Sequence, residues 1–214
     1  MTEAEFLALA RARLSPVPIG RLDRARGDHD LNAGAPRAPD PKRAAVLIPV
    51  VRRPAGPTLL FTTRSSKLRA HSGQVAFPGG RIDAADASPW DAALREAREE
   101  IGLEPRFVER LGYSDTYLST TGYLVIPVVG LVSEGFALTL NPAEVAEVFE
   151  VPLAYAFDEE NQELHVREWG GRLRRYYAIS HANRYVWGVT AGILRHLHER
   201  LAQEPARAHR PEAP

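Results

Sequence analysis

The sequence predicts an α+β protein, an α/β/α sandwich around a mixed β-sheet. Three observations predict it. Strand-like and helix-like segments are interleaved without the regular strand–helix alternation of a parallel sheet. The glycine pair at 79–80 is not a GxGxxG, which argues against a Rossmann dinucleotide fold. The chain has 214 residues, 44% of them hydrophobic, enough for a proper core in one domain with appendages or a small two-domain protein.

The elements follow in order. Thr2 and Glu5 form a capping-box pattern, and Phe6, Leu7, Leu9, Ala10 and Leu14 give a short amphipathic helix. Residues 15–42 hold Pro16, Pro18, Pro36, Pro39 and Pro41 among scattered charges and read as an irregular arm, so that 1–42 precede the main domain at 43–203. AAVLIPVV and TLLFTT, on either side of a PAGP turn, are strands at 43–52 and 57–63. A glycine-punctuated stretch at 69–83 leads to a helix at 89–101. Ser88 is its N-cap and Pro89 its first residue. Strand-like runs follow at 106–113 and 123–133. NPAEVAEVFEVPLAYAF at 141–157 reads as a turn, an acidic stretch and a short helix. ELHVREW and RLRRYYAI flank Gly170-Gly171 as a hairpin. Residues 184–202 read as a closing amphipathic helix with Tyr185, Trp187 and Leu194 as core positions, and 204–214 as a disordered tail.

Composition excludes several functions. Lys+Arg and Asp+Glu are both 27, so the chain carries no net charge to coat nucleic acid or a membrane, and neither is expected as a partner. The absence of cysteine removes disulfides, thiolate zinc sites and cysteine nucleophiles. The longest apolar runs, 46–51 and 123–132, fall short of the roughly 20 residues that span a bilayer. MTEAEFLALARARL lacks the basic start and apolar core of a signal peptide, so a soluble cytoplasmic protein is expected.

The stretch LREAREEIGL at 94–103 carries the chemistry. Its ordinary reading is a solvated helix with an Arg95–Glu99 pair one turn apart. Two details oppose that reading. At about 100° per residue, Glu96, Glu99 and Glu100 fall within an arc of roughly 100°, beside an apolar sector of Trp90, Ala93, Leu94, Ala97 and Ile101. Gly102 stops the helix just after them, so the acids crowd the end where the helix dipole disfavours negative charge. A hard divalent cation, which takes oxygen ligands, would compensate.

These residues resemble the Nudix box. Gly80, Arg95-Glu96-Ala97, Glu99-Glu100, Gly102 and Leu103 match its pattern. The first acidic position is Asp86 where the family has Glu, and the stretch from it to Arg95 is one residue longer. Upstream, Leu60, Thr62, Arg64, Ser65, Arg69, Gly73, Phe77, Pro78, Gly79 and Gly80 resemble the coenzyme A pyrophosphatases of that superfamily, with Phe61 in place of a Leu. Asn141-Pro142-Ala143-Glu144-Val145-Ala146 resembles a later segment of the same subfamily, whose box is also lengthened and carries an Asp.

The resemblance implies the Nudix fold and hydrolysis of a nucleoside diphosphate derivative with Mg²⁺ or Mn²⁺. It implies Glu96 and Glu100 as metal ligands, the Gly80 carbonyl as a further one, and Glu99 as a ligand or the base. Arg95 would hold a glutamate in place, and Glu144 is the alternative base. Arg64 and Arg69 are the implied phosphate grips, with Gly79 at the substrate side of the turn; Lys67 is an exposed lysine, and His71 satisfies a turn. The expected partner is a coenzyme A-like molecule. Alternatives are ADP-ribose or another nucleoside diphosphate derivative, or a binding module without catalysis. A homodimer is left open, as is whether the 15–42 arm covers the site, mediates a dimer or does neither.

Overall fold

The computed structural model describes residues 1–19, 22–68 and 70–203; the expected tail and Arg69 lie outside the described residues. Helix α1 (Glu3–Arg13) starts with the anticipated box: Glu5 N–H donates to Thr2 Oγ1 at 3.3 Å and Thr2 N–H to Glu5 Oε2 at 2.7 Å. Among the described residues the main sheet is mixed. Strand β2 (Lys42–Val51) runs parallel to β8 (Tyr123–Val132) over ten residue pairs. Antiparallel partners flank this centre: β3 (Thr58–Arg64) and β5 (Gly79–Arg81) on β2, and β6 (Val108–Tyr113) and β7 (Tyr117–Leu118) on β8. Strand β4 (Val75–Ala76) adds to β3. The near-continuous apolar runs of β2 and β8 follow from their position, since a strand covered on both faces has no polar side.

Helix α3 (Pro89–Ile101) covers one face, packing Ala92, Ala93, Ala97 and Ile101 against Ala45, Leu47, Ile126 and Val128. The opposite face packs Ile48, Val50 and Val129 against Phe6 of α1 and Leu194, Leu197 and Leu201 of α5 (Val189–Ala202). The expected α/β/α sandwich is therefore present. A second sheet of β10 (Glu163–Trp169), β11 (Arg172–His181) and β12 (Arg184–Trp187) contains the anticipated Gly170-Gly171 hairpin. No helix among the described residues is long and apolar enough to cross a membrane.

Three regions differ from the sequence expectation. The acidic stretch after 141 contains a strand, β9 (Val145–Pro152), paired with β3, before the short helix α4 (Leu153–Ala156). Its acids obscure the strand pattern and are answered from afar. Glu150 accepts from Arg53 at 3.0 and 2.6 Å and from Thr58 at 2.6 Å, and Glu147 pairs with Arg184. Residues 184–187 form strand β12, because Gly188 (φ 63°) separates them from the helix. Tyr185 and Trp187 thus lie on a strand, with Tyr185 exposed, and of the three expected core residues it is Leu194 that is fully buried in the helix.

The arm is more ordered than its prolines imply. A 3₁₀ turn (Leu22–Arg24) precedes β1 (Arg26–Gly27), which pairs with β7, and the short helix α2 (Asp28–Leu31). Gly27 is required by close approach, as a Cβ there would lie 2.1 Å from the Leu118 carbonyl oxygen. Asp28 anchors the arm, accepting from Tyr117 Oη at 2.6 Å and from Thr120 N–H at 2.8 Å. Asn32 accepts from the Arg175 N–H and donates to the Arg175 carbonyl of β11, at 2.8 and 3.0 Å. Replacing Asp28 by Ala strands the buried Tyr117 hydroxyl. Urea denaturation should register a loss of about 1–3 kcal/mol, with faster proteolysis within 15–42. An unchanged midpoint would show that the arm is not held through this carboxylate.

Candidate active site

The site forms where the last turn of α3 meets the Pro78-Gly79-Gly80 turn. Local sequence places the helix. Ser88 caps it through the Asp91 N–H at 3.3 Å, Pro89 occupies its first position, and Gly102 ends it with φ 70°. The turn is held between β2 and α3, with Leu47 N–H donating to the Pro78 carbonyl at 2.8 Å. Two glycines permit this closeness. At Gly79 (φ 153°) a Cβ would sit 2.4 Å from the Ala45 carbonyl oxygen, and at Gly80 it would sit 2.5 Å from the Glu96 carboxyl.

The structure brings Glu96 and Glu100 to this turn. Glu100 is 5% exposed and accepts from the Gly79 N–H at 3.1 Å. The Gly79 amide, expected at the substrate side, is thus engaged with a carboxylate. Burial pushes Glu100 up to about 7; the Gly79 hydrogen bond opposes that, and the charges of Glu96 and Glu144 add to it. Burial also raises Glu96, against the pull of Arg95.

Arg95 ties the acids to the preceding loop. Its Nε and Nη2 donate to the two Asp86 oxygens, each at 3.0 Å, and Nη2 also donates to the Arg81 carbonyl at 3.1 Å. Nη1 donates to Glu96 Oε1 at 2.9 Å and to Glu99 Oε2 at 3.0 Å. These bonds hold Asp86 below the usual carboxylate range. Asp86 acts here as the partner of Arg95, in line with a structural rather than a ligating position. Glu99 is exposed and linked to the cluster through Arg95.

Arg64 stands at the end of β3, at a register shift against β9 between Thr63 and Arg64, a kind of irregularity that redirects side chains near active sites. Its Nε is buried without a hydrogen-bond partner among the described residues, and its charge stabilises ionised Glu100. The 65–73 loop closes on Arg64 through Gly73 N–H to the Arg64 carbonyl at 3.0 Å. His71 satisfies the turn, its Nδ1 lying 2.9 Å from Gln74 Oε1; Lys67 is exposed. Glu144 arrives on the 141–146 segment, which docks by Asn141 N–H to the Glu100 carbonyl at 2.9 Å and Ser65 N–H to the Glu144 carbonyl at 2.8 Å. The sequence places Asn141 in the Asn-Pro segment but gives its side chain no role, which the structure supplies. Its Oδ1 accepts from the Ala143 N–H at 3.1 Å and its Nδ2 donates to Glu144 at 3.3 Å. The signal was present, as Asn-Pro commonly initiates such a side-chain turn.

The residues fit a hard cation. Among the described residues no group of three or more acidic or histidine side chains forms a metal cage by itself. Mg²⁺ needs no such cage, since it binds through one or two carboxylates and keeps several waters. Glu100 is a buried carboxylate with an N–H donor but no ion pair among the described residues, and the Gly80 backbone lies against Glu96. A divalent cation held by Glu96, Glu100 and the Gly80 carbonyl would supply the missing charge.

The chain is similar to known proteins over much of its length. The NUDIX domain profile matches residues 41–169. The chain is 44% identical over 172 residues to the "Uncharacterized Nudix hydrolase NudL" of Cronobacter sakazakii, covering 77% of this chain and 85% of the relative. The protein of the same description from Photorhabdus laumondii is 43% identical over 170 residues, covering 76% and 90%. That from Escherichia coli K12 is 44% identical over 171 residues, covering 77% and 85%. Among solved structures, a Caenorhabditis elegans Ap4A hydrolase complex aligns with TM-score 0.45 and 19% identity over 52% of this chain and 80% of that one. The Mycobacterium smegmatis Nudix hydrolase RenU aligns with TM-score 0.45 and 24% identity over 53% and 71%.

The buried acid leads to a stability test on metal-free protein. Glu100 titrates from 4.5 in the unfolded chain to about 7 when folded, so the native state holds the extra proton between these values. Its contribution is therefore present below about pH 4.5 and lost as pH rises through 7. In chelator at pH 8, Glu100→Gln should melt about 7–14 °C above the parent, and the gap should close by pH 4. A variant less stable than the parent at pH 8 would show that the carboxylate is not strained.

Proposed function

The chain belongs to the NUDIX hydrolase family, and from that premise we propose that it cleaves the diphosphate of coenzyme A or a coenzyme A thioester. The products are adenosine 3′,5′-bisphosphate and 4′-phosphopantetheine or its acylated form. Nudix hydrolases generally use divalent cations, and Mg²⁺ or Mn²⁺ is the implied cofactor here. The observation that carries the substrate reading is the joining of two separate segments at one point. Arg64 and Ser65, from the coenzyme A-type upstream motif, hydrogen-bond into the 64–74 turn and the 141–146 segment, beside Glu100. ADP-ribose and other nucleoside diphosphate derivatives are the competing substrates. The expected compartment is the cytoplasm.

The chemistry is attack of water on one phosphorus, with breakage of the bridging P–O bond and departure of the other phosphate. When bound, the cation neutralises the diphosphate oxygens and lowers the pKa of water. Glu96, Glu100 and the Gly80 carbonyl would hold it. Glu99 or Glu144 receives the proton that water gives up, and the departing phosphate oxygen leaves as an anion. Arg95 positions Glu96 and Glu99 together, because one guanidinium group donates to both. Arg64 carries an unused donor suited to a phosphate oxygen. Arg69 is proposed as a second grip, suited to a substrate with an additional 3′-phosphate.

Turnover of coenzyme A, ADP-ribose and NADH, compared with Mg²⁺ and with Mn²⁺, tests the substrate. Preference for ADP-ribose would overturn the coenzyme A assignment. Digestion in ¹⁸O-water identifies the attacked phosphorus in the same products. Glu100→Gln should abolish hydrolysis with the fold intact; retained turnover would remove this carboxylate from the centre. Arg95→Ala releases Asp86, Glu96 and Glu99 together and should lower activity or metal affinity about 10–100-fold. Comparing Glu99→Gln with Glu144→Gln assigns the base to whichever lowers kcat more while leaving metal affinity unchanged.

A further inference from the structure

The arm and the sheet enclose an open cavity of about 620 Å³, lined by Leu22, Asp23, Arg37, Ala38, Pro39 and Leu118. That volume is within the usual range for small-molecule sites, about 300–1,000 Å³. Its floor is a small apolar cluster of Ala25, Leu118 and Leu124, with Leu22 packed against it. Register places the cavity relative to the acidic site. Leu118 pairs with Leu124, and Leu124 with Arg43. Two residues further along, Ile126 pairs with Ala45, which pairs with Gly80. Side chains alternate along a strand, so Leu118, Leu124, Arg43, Ile126 and Ala45 share one face. Ile126 and Ala45 pack against α3, so this is the face that bears Glu96 and Glu100.

From Gly80 to Leu118 the path crosses β2 and β8 to reach β7, three interstrand steps with an offset of two residues along the strand, roughly 16 Å. An extended chain about five residues long has that reach, and two amides in series with their flanking methylenes are of that order. Arg43 stands on the path and Arg37 at the cavity; among the described residues neither makes an ion pair or side-chain hydrogen bond. The cavity wall is firmly held. Asp28, Asn32 and Arg26 tie the arm to β7, β11 and α5, the last through Arg26 Nη1 to Glu199 at 2.6 Å.

We propose that this cavity receives the pantetheine end of the substrate, with Leu22, Ala38, Pro39 and Leu118 against its methyl and methylene groups and Arg37 donating to an amide carbonyl. The inference rests on the coenzyme A reading and assigns the arm its role as one wall of the substrate cleft. It also leaves the thiol end toward an open cavity, where an acyl group has room.

Binding to the full-length protein tests it without turnover. Calorimetry would compare 4′-phosphopantetheine with adenosine 3′,5′-bisphosphate for the parent, Ala38→Trp and Arg37→Glu. Ala38→Trp fills the cavity, and Arg37→Glu changes an exposed residue and so keeps the test decisive if the bulkier variant fails to fold. Each should bind 4′-phosphopantetheine about tenfold more weakly, a loss of roughly 1.4 kcal/mol, and bind the bisphosphate as the parent does. Unchanged phosphopantetheine binding, equal weakening of both ligands, or no binding to the parent would overturn the cavity assignment. Turnover by the parent is read separately: failure to hydrolyse coenzyme A would sink the proposed function, even with phosphopantetheine bound in the cavity.

Discussion

One buried carboxylate, Glu100, and one half-buried, Glu96, lie against a glycine turn at the helix end that electrostatics disfavours for them, and much of the site is arranged around that cost. The contact is possible because neither partner carries bulk. Gly80 has no Cβ to strike Glu96, and Gly79 turns its N–H onto Glu100. Alanines at 92, 93 and 97 let α3 sit close to the sheet, which brings its last turn down to the β2–β5 ladder. Ser88 and Gly102 fix where the helix begins and ends, so the acids fall in the final turn and at no other depth.

Arg95 balances this arrangement on one side. A single guanidinium group joins Asp86, Glu96, Glu99 and the Arg81 carbonyl, so the loop before the helix is tied to the helix face. On the other side Glu100 has no ion pair among the described residues, and burial raises its proton affinity. The asymmetry separates a neutralised flank from an open one, where a cation and a diphosphate have reason to sit. Arg64 and the 141–146 segment close the same flank through backbone hydrogen bonds, supplemented by the Ser65 hydroxyl and the Asn141 side chain.

Local signals made some elements legible and hid others. The ends of α3 were readable to the residue because caps are set by a few adjacent side chains. Strand β9 was hidden because Glu147 and Glu150 look like surface charges, and their partners Arg184, Arg53 and Thr58 lie far off in sequence. Strand β12 was absorbed into the closing helix because a short apolar run reads in either period until Gly188 divides it. The arm reads as irregular because its elements are two to four residues long. They exist by pairing with β7 and β11, not by propensity.

By itself the sequence determined the kind of chemistry available: three acids within one helical arc, an arginine fork among them, a glycine turn before them and no cysteine. It determined as much because residue type and helical spacing are local properties. The tertiary structure alone decided which carboxylate is buried and which exposed, that one arginine serves three acids, that Asn141 braces Glu144, and that the arm walls a cavity on the helix-bearing face. Those outcomes depend on burial, on partners distant in sequence and on strand register, and none of these is a property of a residue and its neighbours.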